Sequence, residues 1–178
     1  MYRLREFVPD DFVPFSHWVS SQEDLVRICG GTFSFPLQQT DFEAFFAASG
    51  APTACQRYVF EEEITKRVVG ICCFTRIDRL NDAGHIGFVA VCPDQRGRGI
   101  GTRMLTLLIA EGFESLGLHR ISLNVMEDNQ IARRVYVEKL GFVEEGVQRE
   151  SVKMDGVYKS IYTMGLLKPE WREFAEGV

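Results

Sequence analysis

One segment constrains the fold of this chain more than any other. A β-type run, Val89–Cys92, leads through Pro93 into a glycine-rich loop, and an amphipathic helix follows over Ile100–Leu116. The loop comprises Gln95, Arg96, Gly97, Arg98, Gly99, Ile100, Gly101 and Thr102. Glycine allows positive φ and close approach of a ligand to the backbone, and a helix N-terminus presents free amide groups. The segment therefore predicts a strand, an anion-binding loop and a helix in succession.

Two interpretations of this loop stay open on the residues alone. It is either a phosphate site, strengthened by the charges of Arg96 and Arg98, or a tight strand-to-helix turn. A Walker loop is excluded because no Gly-Lys-Ser or Gly-Lys-Thr run follows the glycines. A dinucleotide-binding fold fits poorly, since its glycine loop belongs to an opening strand–helix unit and this loop lies past mid-chain.

Hydrophobic periodicity along the rest of the chain predicts a mixed α/β (α+β) fold. A first strand and three helices come before three strands that meander, a helix, a strand, a helix and a final hairpin. The segments with the clearest patterns are strands 57–63, 68–77, 85–92, 121–125, 143–154 and 157–166, and helices 100–116 and 129–140. The step from strand 85–92 to strand 121–125 is predicted to be a right-handed parallel crossover in a mixed sheet.

Composition narrows the class of protein further. With 178 residues, 46% of them hydrophobic, the chain is expected to form one globular domain over residues 1–178. A net charge of −5 argues against nucleic acid and anionic membranes as partners. No apolar run reaches the ~18–20 residues of a membrane helix, and the first residues lack a signal-like stretch. Five cysteines without a C-x-x-C pair predict reduced thiols, a cytoplasmic location and no metal site.

Two blocks of the sequence resemble a known family. Arg96–Gly101, preceded by a V-x-V-x-P strand end, resembles the cofactor loop of the GNAT (Gcn5-related) N-acetyltransferases. Asn129–Ala132 together with Glu138–Phe142 resembles the second motif of that family, and the ending Asp155–Trp171 is similar to its ribosomal-protein alanine N-acetyltransferases. The resemblance implies about seven mostly antiparallel strands with helices on both faces, splayed between strands 4 and 5.

The resemblance also implies acetyl transfer from acetyl-CoA to a primary amine, either a small amine or a protein N-terminus. Residues Gln95–Thr102 would bind the CoA pyrophosphate, and Val89, Ala90 and Val91 would pair with the pantetheine amides. Asn129 would hydrogen-bond CoA, although a helix N-cap is an alternative role for this residue. The other functional hypothesis is a CoA-binding regulatory or interaction module without turnover. Both a monomer and a homodimer fit the pattern.

Tyr136 is the candidate general acid for the departing CoA thiolate. The family pattern places a tyrosine five residues before the Phe of the Gly-Phe pair, where this chain has Val137. Counted forward from Asn129, Tyr136 is in register, so the helix carries one extra residue. Because one residue rotates a side chain by about 100° on a helix, Tyr136 either faces the sulfur or packs in the core.

The general base is less defined. Related ribosomal-protein enzymes often carry a glutamate at the position of Asn124, which has no basic group. His85 is an alternative base, because period two predicts that it shares a strand face with Val89 and Val91. It would otherwise be a surface histidine, and an ordered water is a further candidate base.

Four residues are predicted to meet the acceptor amine. Glu127 and Asp128 follow strand 121–125 and are expected near the mouth of the cleft, where they would hold a cationic amine or relay its proton. Phe33 and Phe35 lie in an aromatic loop that either lines the acceptor pocket or packs the helices onto the sheet.

Overall fold

In the computed structural model, which describes residues 1–47 and 55–176, seven strands form one mixed sheet. The strands are β1 (Tyr2–Glu6), β2 (Gln56–Glu62), β3 (Val68–Asp78), β4 (Ala83–Val91), β5 (Arg120–Met126), β6 (Val143–Met154) and β7 (Val157–Leu167). Their order across the sheet is β1-β2-β3-β4-β5-β7-β6. Every neighbouring pair is antiparallel except β4 and β5. The predicted mixed, mostly antiparallel sheet is confirmed.

Helices cover both faces of this sheet, as predicted. They are α1 (Phe12–Ser16), α2 (Gln22–Cys29), α3 (Gln39–Ala47), α4 (Ile100–Ala110), α5 (Gln130–Arg134) and α6 (Lys168–Glu176). Two of them continue as π-helical turns, α4 through Glu111–Ser115 and α5 through Val135–Lys139. Local chemistry sets the ends of α2, because Ser21 accepts a hydrogen bond from the Asp24 amide and Gly30 takes a left-handed φ of 64°.

The parallel contact between β4 and β5 is short. It begins with the pair Ala83 and Arg120 and ends with Ile86 and Leu123. Beyond Ile86, β4 stays hydrogen-bonded to β3 on one side only, and β5 stays paired with β7 as far as Met126. The two strands therefore separate, which confirms the predicted splay and leaves a cleft between them.

Each face of the sheet has its own core. On one face, α4 and α5 bury aliphatic side chains such as Met104, Leu108 and Ile109 against Phe74. On the other face, α1–α3 bury a cluster rich in phenylalanine, which we call the aromatic cap: Phe12, Phe15, Phe33, Phe42, Phe45, Phe46 and Phe88. Burying one such side chain contributes about 1.5–3 kcal/mol, so both cores hold the cleft walls in place.

A β-bulge in β4 changes which residues share a face. Phe88 has a φ of 53°, and the register with β3 shifts between Ile71 and Cys73. As a result Val89 packs on the α4 side with Ile86, whereas Phe88 and Ala90 pack on the aromatic cap. The prediction that His85 shares a face with Val89 and Val91 is wrong, because the bulge interrupts the period of two.

Across the described part of the chain, no helix combines the length and the apolarity that crossing a membrane requires.

Candidate active site

A cavity of about 410 Å³ occupies the cleft between β4 and β5. Its floor is the splayed pair of strands, and α2 and the β6–β7 hairpin form its walls. The lining residues are Val26, Arg27, Ile28, Cys29, Gly30, Thr32, Phe45, Thr75, His85, Ile86, Gly87, Phe88, Val89, Leu123, Asn124, Val125, Met126, Asn129, Tyr136, Val152 and Ile161. Four residues that the sequence singled out as site candidates thus meet in one cavity: His85, Val89, Asn129 and Tyr136.

The glycine loop, residues Gln95–Thr102, lies where β4 ends and α4 begins. Gly97 and Gly99 both have a φ of 75°, a conformation that strains any residue with a side chain. Within the described ranges, no group accepts a hydrogen bond from the backbone amides of residues 97–102. Free amides at a helix N-terminus attract an anion, so the loop fits a phosphate group.

The side chains of the glycine loop leave this surface open. Ile100 is buried and anchors the first turn of α4 in the core. Arg96 donates from Nε to the Val91 carbonyl at 3.1 Å, and Arg98 is exposed. The loop is separate from the described lining of the cavity, and the segment that connects them is the unpaired edge of β4 around Val89–Val91.

Asn129 acts as the N-cap of α5. Its Oδ1 accepts a hydrogen bond from the Ala132 amide at 3.2 Å, which satisfies one of the free donors of the helix. The N-cap interpretation is therefore confirmed. Asn129 also lines the cavity, and its Nδ2 group makes no hydrogen bond to any described residue. The predicted contact with CoA stays a prediction that this geometry permits.

Tyr136 lies in the π-helical turn Val135–Lys139. A π turn holds one residue more than the same stretch of α-helix, so it absorbs the extra residue that the sequence indicated. Tyr136 packs against Phe142 with ring centroids 6.1 Å apart, and its side chain lines the cavity. Burial raises the pKa of the phenol to about 12. The phenol therefore keeps its proton at neutral pH.

His85 reaches the cavity from the β4 side. Its Nδ1 lies 2.9 Å from the Oγ of Ser122 on β5, and Arg76 pairs opposite it on β3. Burial lowers the pKa of His85 below its usual 6.5, and the positive charge of Arg76 lowers it further. The imidazole is therefore largely neutral at pH 7, the form that a general base requires.

The two acidic candidates do not face the cavity. Glu127 Oε1 accepts a hydrogen bond from the Ser160 amide at 3.0 Å and ties the strand end to β7. Asp128 accepts hydrogen bonds from Arg27 Nη1 at 2.9 Å and Nη2 at 3.1 Å, which lower the pKa of its carboxyl group. Neither is among the described residues that line the cavity. Their predicted contact with the acceptor stays a prediction; both carboxylates already accept hydrogen bonds from protein groups.

The two aromatic candidates lie outside the described cavity lining, and Phe33 takes the packing role that was one of the two alternatives. Phe33 is buried in the aromatic cap, with its ring 5.7 Å from those of Phe42 and Phe88, and Phe35 is 45% exposed on the surface. Neither belongs to the described cavity lining, which instead includes Phe45 and Phe88. Sequence analysis missed both, since no local pattern distinguishes a phenylalanine that faces a cavity from one in the core.

The described residues contain no cluster of three or more His, Cys, Asp or Glu side chains that would hold a metal ion. The described polar side chains that line the cavity are an imidazole, a phenol, a thiol, two hydroxyls, two amides and a guanidinium.

The splayed sheet and the amide-rich loop define the class of fold. A spermidine N-acetyltransferase from Vibrio cholerae, solved with CoA and spermine, superposes with a TM-score of 0.82 at 22% identity. The superposition covers 96% of this chain and 98% of that one.

The sequence itself establishes the family. Residues 22–142 match the model of the acetyltransferase (GNAT) family, and the chain belongs to this family. The resemblance seen in the two sequence blocks is confirmed.

Two relatives from Bacillus subtilis carry the same kind of domain. The putative ribosomal N-acetyltransferase YdaF is 31% identical over 102 residues, which is 57% of this chain and 55% of the relative. The probable N-acetyltransferase YjcK is 39% identical over 106 residues, 58% of this chain and 57% of the relative. The chain thus spans about half the length of these two relatives.

Proposed function

We propose that this protein transfers the acetyl group of acetyl-CoA to a primary amine by direct attack on the thioester. One observation carries the proposal: the edge of β4 that β5 leaves unpaired connects a loop of unbonded amides to a cavity that contains a protonated phenol. Such a path suits a ligand with an anionic end, an amide-bearing middle and a reactive tip.

The cosubstrate would be held mostly by backbone groups. The amides of residues 97–102 and the dipole of α4 would hold the pyrophosphate, with Arg96 and Arg98 adding positive charge. Val89–Val91 would pair with the pantetheine amides in the manner of an added strand, since β5 has moved away from this edge. The free Nδ2 of Asn129 would supply one further hydrogen bond.

The chemistry needs one proton removed and one supplied. An alkyl amine must lose a proton before it attacks, and the departing thiolate is stabilised by a donor. Tyr136 would donate to the sulfur. A phenol of pKa about 12 is a weaker acid than a thiol in water, but the same apolar surroundings raise the proton affinity of the thiolate. A backbone amide at the β4 bulge would stabilise the oxyanion.

His85 would accept the proton of the amine, directly or through water. Its neutral form is favoured at pH 7, and it faces the same cavity as Tyr136. The cavity also contains Asn124, whose amide side chain has no basic group and would serve only to orient a water molecule or the acceptor.

The relatives suggest two kinds of acceptor. Their names refer to ribosomal and to spermidine N-acetylation, so a protein N-terminus and a small amine are both candidates. Monomer or homodimer, and a single domain over residues 1–178, also stay predictions. Because all five cysteines are free thiols, we propose a reducing compartment such as the cytoplasm.

The test measures thiol release from acetyl-CoA against alkyl amines, polyamines, aminoglycosides and short peptides. We expect release that depends on the acceptor, with an acetylated product of matching mass. Calorimetry with acetyl-CoA is run in parallel. Binding without turnover for every acceptor would favour the CoA-binding module instead, and absence of binding would contradict both hypotheses.

A further inference from the structure

The cavity contains no carboxylate among the described residues that line it. The basic side chains among these described residues are Arg27 and His85, and His85 is largely neutral at pH 7. Residues 48–54, which lie outside the description, include no Asp or Glu in their sequence. The walls, as far as the structure describes them, thus offer no negative charge to balance an ammonium group.

Two carboxylates beside the cavity, Glu23 and Asp128, are paired with protein cations, and Glu127 accepts a hydrogen bond from the Ser160 amide. Arg27 donates from Nε to Glu23 at 3.1 Å and from Nη1 to Asp128 at 2.9 Å. The Nζ of Lys159 lies 3.6 Å from Asp128. Two cations and two anions give this group a net charge of zero. It closes one rim of the cavity, between α2 and the loop after β5, without attracting a cation.

Much of the remaining wall is apolar, although Thr32, Thr75, Asn124 and Asn129 contribute polar, uncharged side chains. α2 supplies Val26 and Ile28, the aromatic cap supplies Phe45 and Phe88, and the β6–β7 hairpin supplies Val152 and Ile161. Val152 and Val26 also pack with Met126 and Met154, so the hairpin and α2 meet over the cavity. A ligand that fills this space would be bound mainly through burial of its apolar surface and not through ion pairs.

We infer that the acceptor is a primary amine with an apolar, uncharged substituent rather than a polyamine. The inference rests on the proposed acetyl transfer and specifies its substrate class. A diamine that has lost one proton for attack still carries a second ammonium group. In this cavity that group would be stripped of water without a carboxylate partner, whereas an alkyl or aryl group would be favoured.

This chemistry is available from two sources, a free hydrophobic amine and a peptide whose first residue has an apolar side chain. In both, the reacting nitrogen sits next to carbon that the cavity can bury. A peptide would extend past the rim formed by Arg27 and Asp128 into solvent.

Matched acceptors test the inference on the unmodified protein. Pentylamine is compared with 1,5-diaminopentane, and a norleucine-Gly-Gly amide with its trimethyl-lysine counterpart. We expect kcat/KM to be at least about tenfold higher for the uncharged member of whichever pair is accepted, because one unpaired ammonium is excluded. Equal or better turnover of the diamine, or of spermidine, would overturn the inference and leave the proposed function intact. Binding of acetyl-CoA with no turnover of any amine would overturn both.

A new carboxylate should reverse the preference. Val152→Glu places an acid in the cavity wall, and Val147→Glu places one on the same strand at a position that is 50% exposed. We expect Val152→Glu to shift the ratio of kcat/KM values toward the diamine by about tenfold, with Val147→Glu unchanged. Melting curves establish that both variants fold. A folded Val152→Glu with the original ratio would count against the inference.

Discussion

The two ends of the cleft are built in different ways. At the glycine loop, the proposed anion site is made of backbone groups that a local run of residues arranges: Gly97 and Gly99 adopt positive φ, and the following helix presents its amides. At the aromatic cap, side chains from α1–α3 and from the bulge in β4 meet through contacts distant in sequence. The first end can therefore be identified from a motif, whereas the second emerges only from tertiary packing.

The difference matters for specificity. A loop that binds a cosubstrate through backbone amides can do so with many different surrounding side chains. Its sequence therefore gives little information about the acceptor. The proposed acceptor wall consists of Phe45, Phe88 and residues of α2 and the hairpin, none of which belongs to the loop.

The largest expected effect tests the cap. Phe33→Ala removes a buried ring that contacts Phe42, Phe45 and Phe88, so it should lower the free energy of unfolding by about 3–5 kcal/mol. Phe35→Ala, at an exposed ring, is the matched control and should change it by less than about 0.5 kcal/mol. Chemical denaturation measures both. Equal losses would mean that Phe35 has a packing role.

The second largest expected effect concerns the phenol of Tyr136. Tyr136→Phe should lower kcat by about 10²-fold because the donor to the leaving sulfur is lost, while acetyl-CoA affinity stays the same. Stopped-flow thiol release and calorimetry separate the two quantities. Tyr162→Phe keeps a ring under the Arg133 guanidinium and should have wild-type kinetics. A Tyr136→Phe enzyme with normal kcat would leave Tyr136 as a packing residue.

At the glycine loop, Gly99→Glu should weaken acetyl-CoA binding at least about tenfold, since it places a negative charge in an anion site. Gly117→Glu is the control for backbone strain, because Gly117 has a φ of 70° and open space around it but lies far from the loop in the chain. Calorimetry should show normal binding for this control. Similar affinity losses in both variants would assign the effect to strain and not to charge.

The pH profile tests His85. Its lowered pKa predicts that kcat/KM, expressed per unprotonated amine, rises with pH along a limb centred below 6.5 and then stays level. Tyr136, with a pKa of about 12, should add no alkaline limb below about pH 10. His85→Gln should remove the acid limb and lower the plateau by about tenfold, since water is a poorer base. An unchanged limb would assign it to another group.

The smallest effect concerns the rim. Asp128→Asn should cost about 0–1 kcal/mol of stability at pH 7, because the ion pair with Arg27 is only partly shielded. Arg27 lowers the pKa of Asp128 in the folded protein. The ion pair therefore contributes fully to the free energy of unfolding above the unfolded pKa of about 3.9. This contribution is lost as the pH falls through the lower pKa that Asp128 has in the folded protein. Chemical denaturation should therefore show a smaller difference in the free energy of unfolding between pH 7 and pH 3 for the variant than for the wild type.

Much of the fold was predictable because its elements are strongly periodic. The hairpin β6–β7 with its Asp155-Gly156 turn, the helix after the glycine loop and the parallel step from β4 to β5 all follow from local pattern. The glycine loop and the N-cap at Asn129 were predictable for the same reason.

The errors arose where distant parts of the chain decide the outcome. A single bulged residue, Phe88, reversed the face assigned by alternation, and nothing in the strand sequence marks it. The ion pair of Asp128 with Arg27, about a hundred residues earlier in the chain, was likewise not visible in the sequence. Such pairings depend on how helices are laid over the sheet.

The π turn in α5 has a consequence for insertions and deletions. The extra residue after Arg134 is accommodated in a π-helical turn. Asn129 at the start of the helix and Tyr136 in its middle therefore both line the cavity, and the extra residue shifts only the later position of Gly141 by one. Length variation at this point is therefore separated from the position of the phenol on the same helix. A helix of this kind can gain or lose a residue by changing its hydrogen-bond pattern without moving the side chain that we propose as the acid.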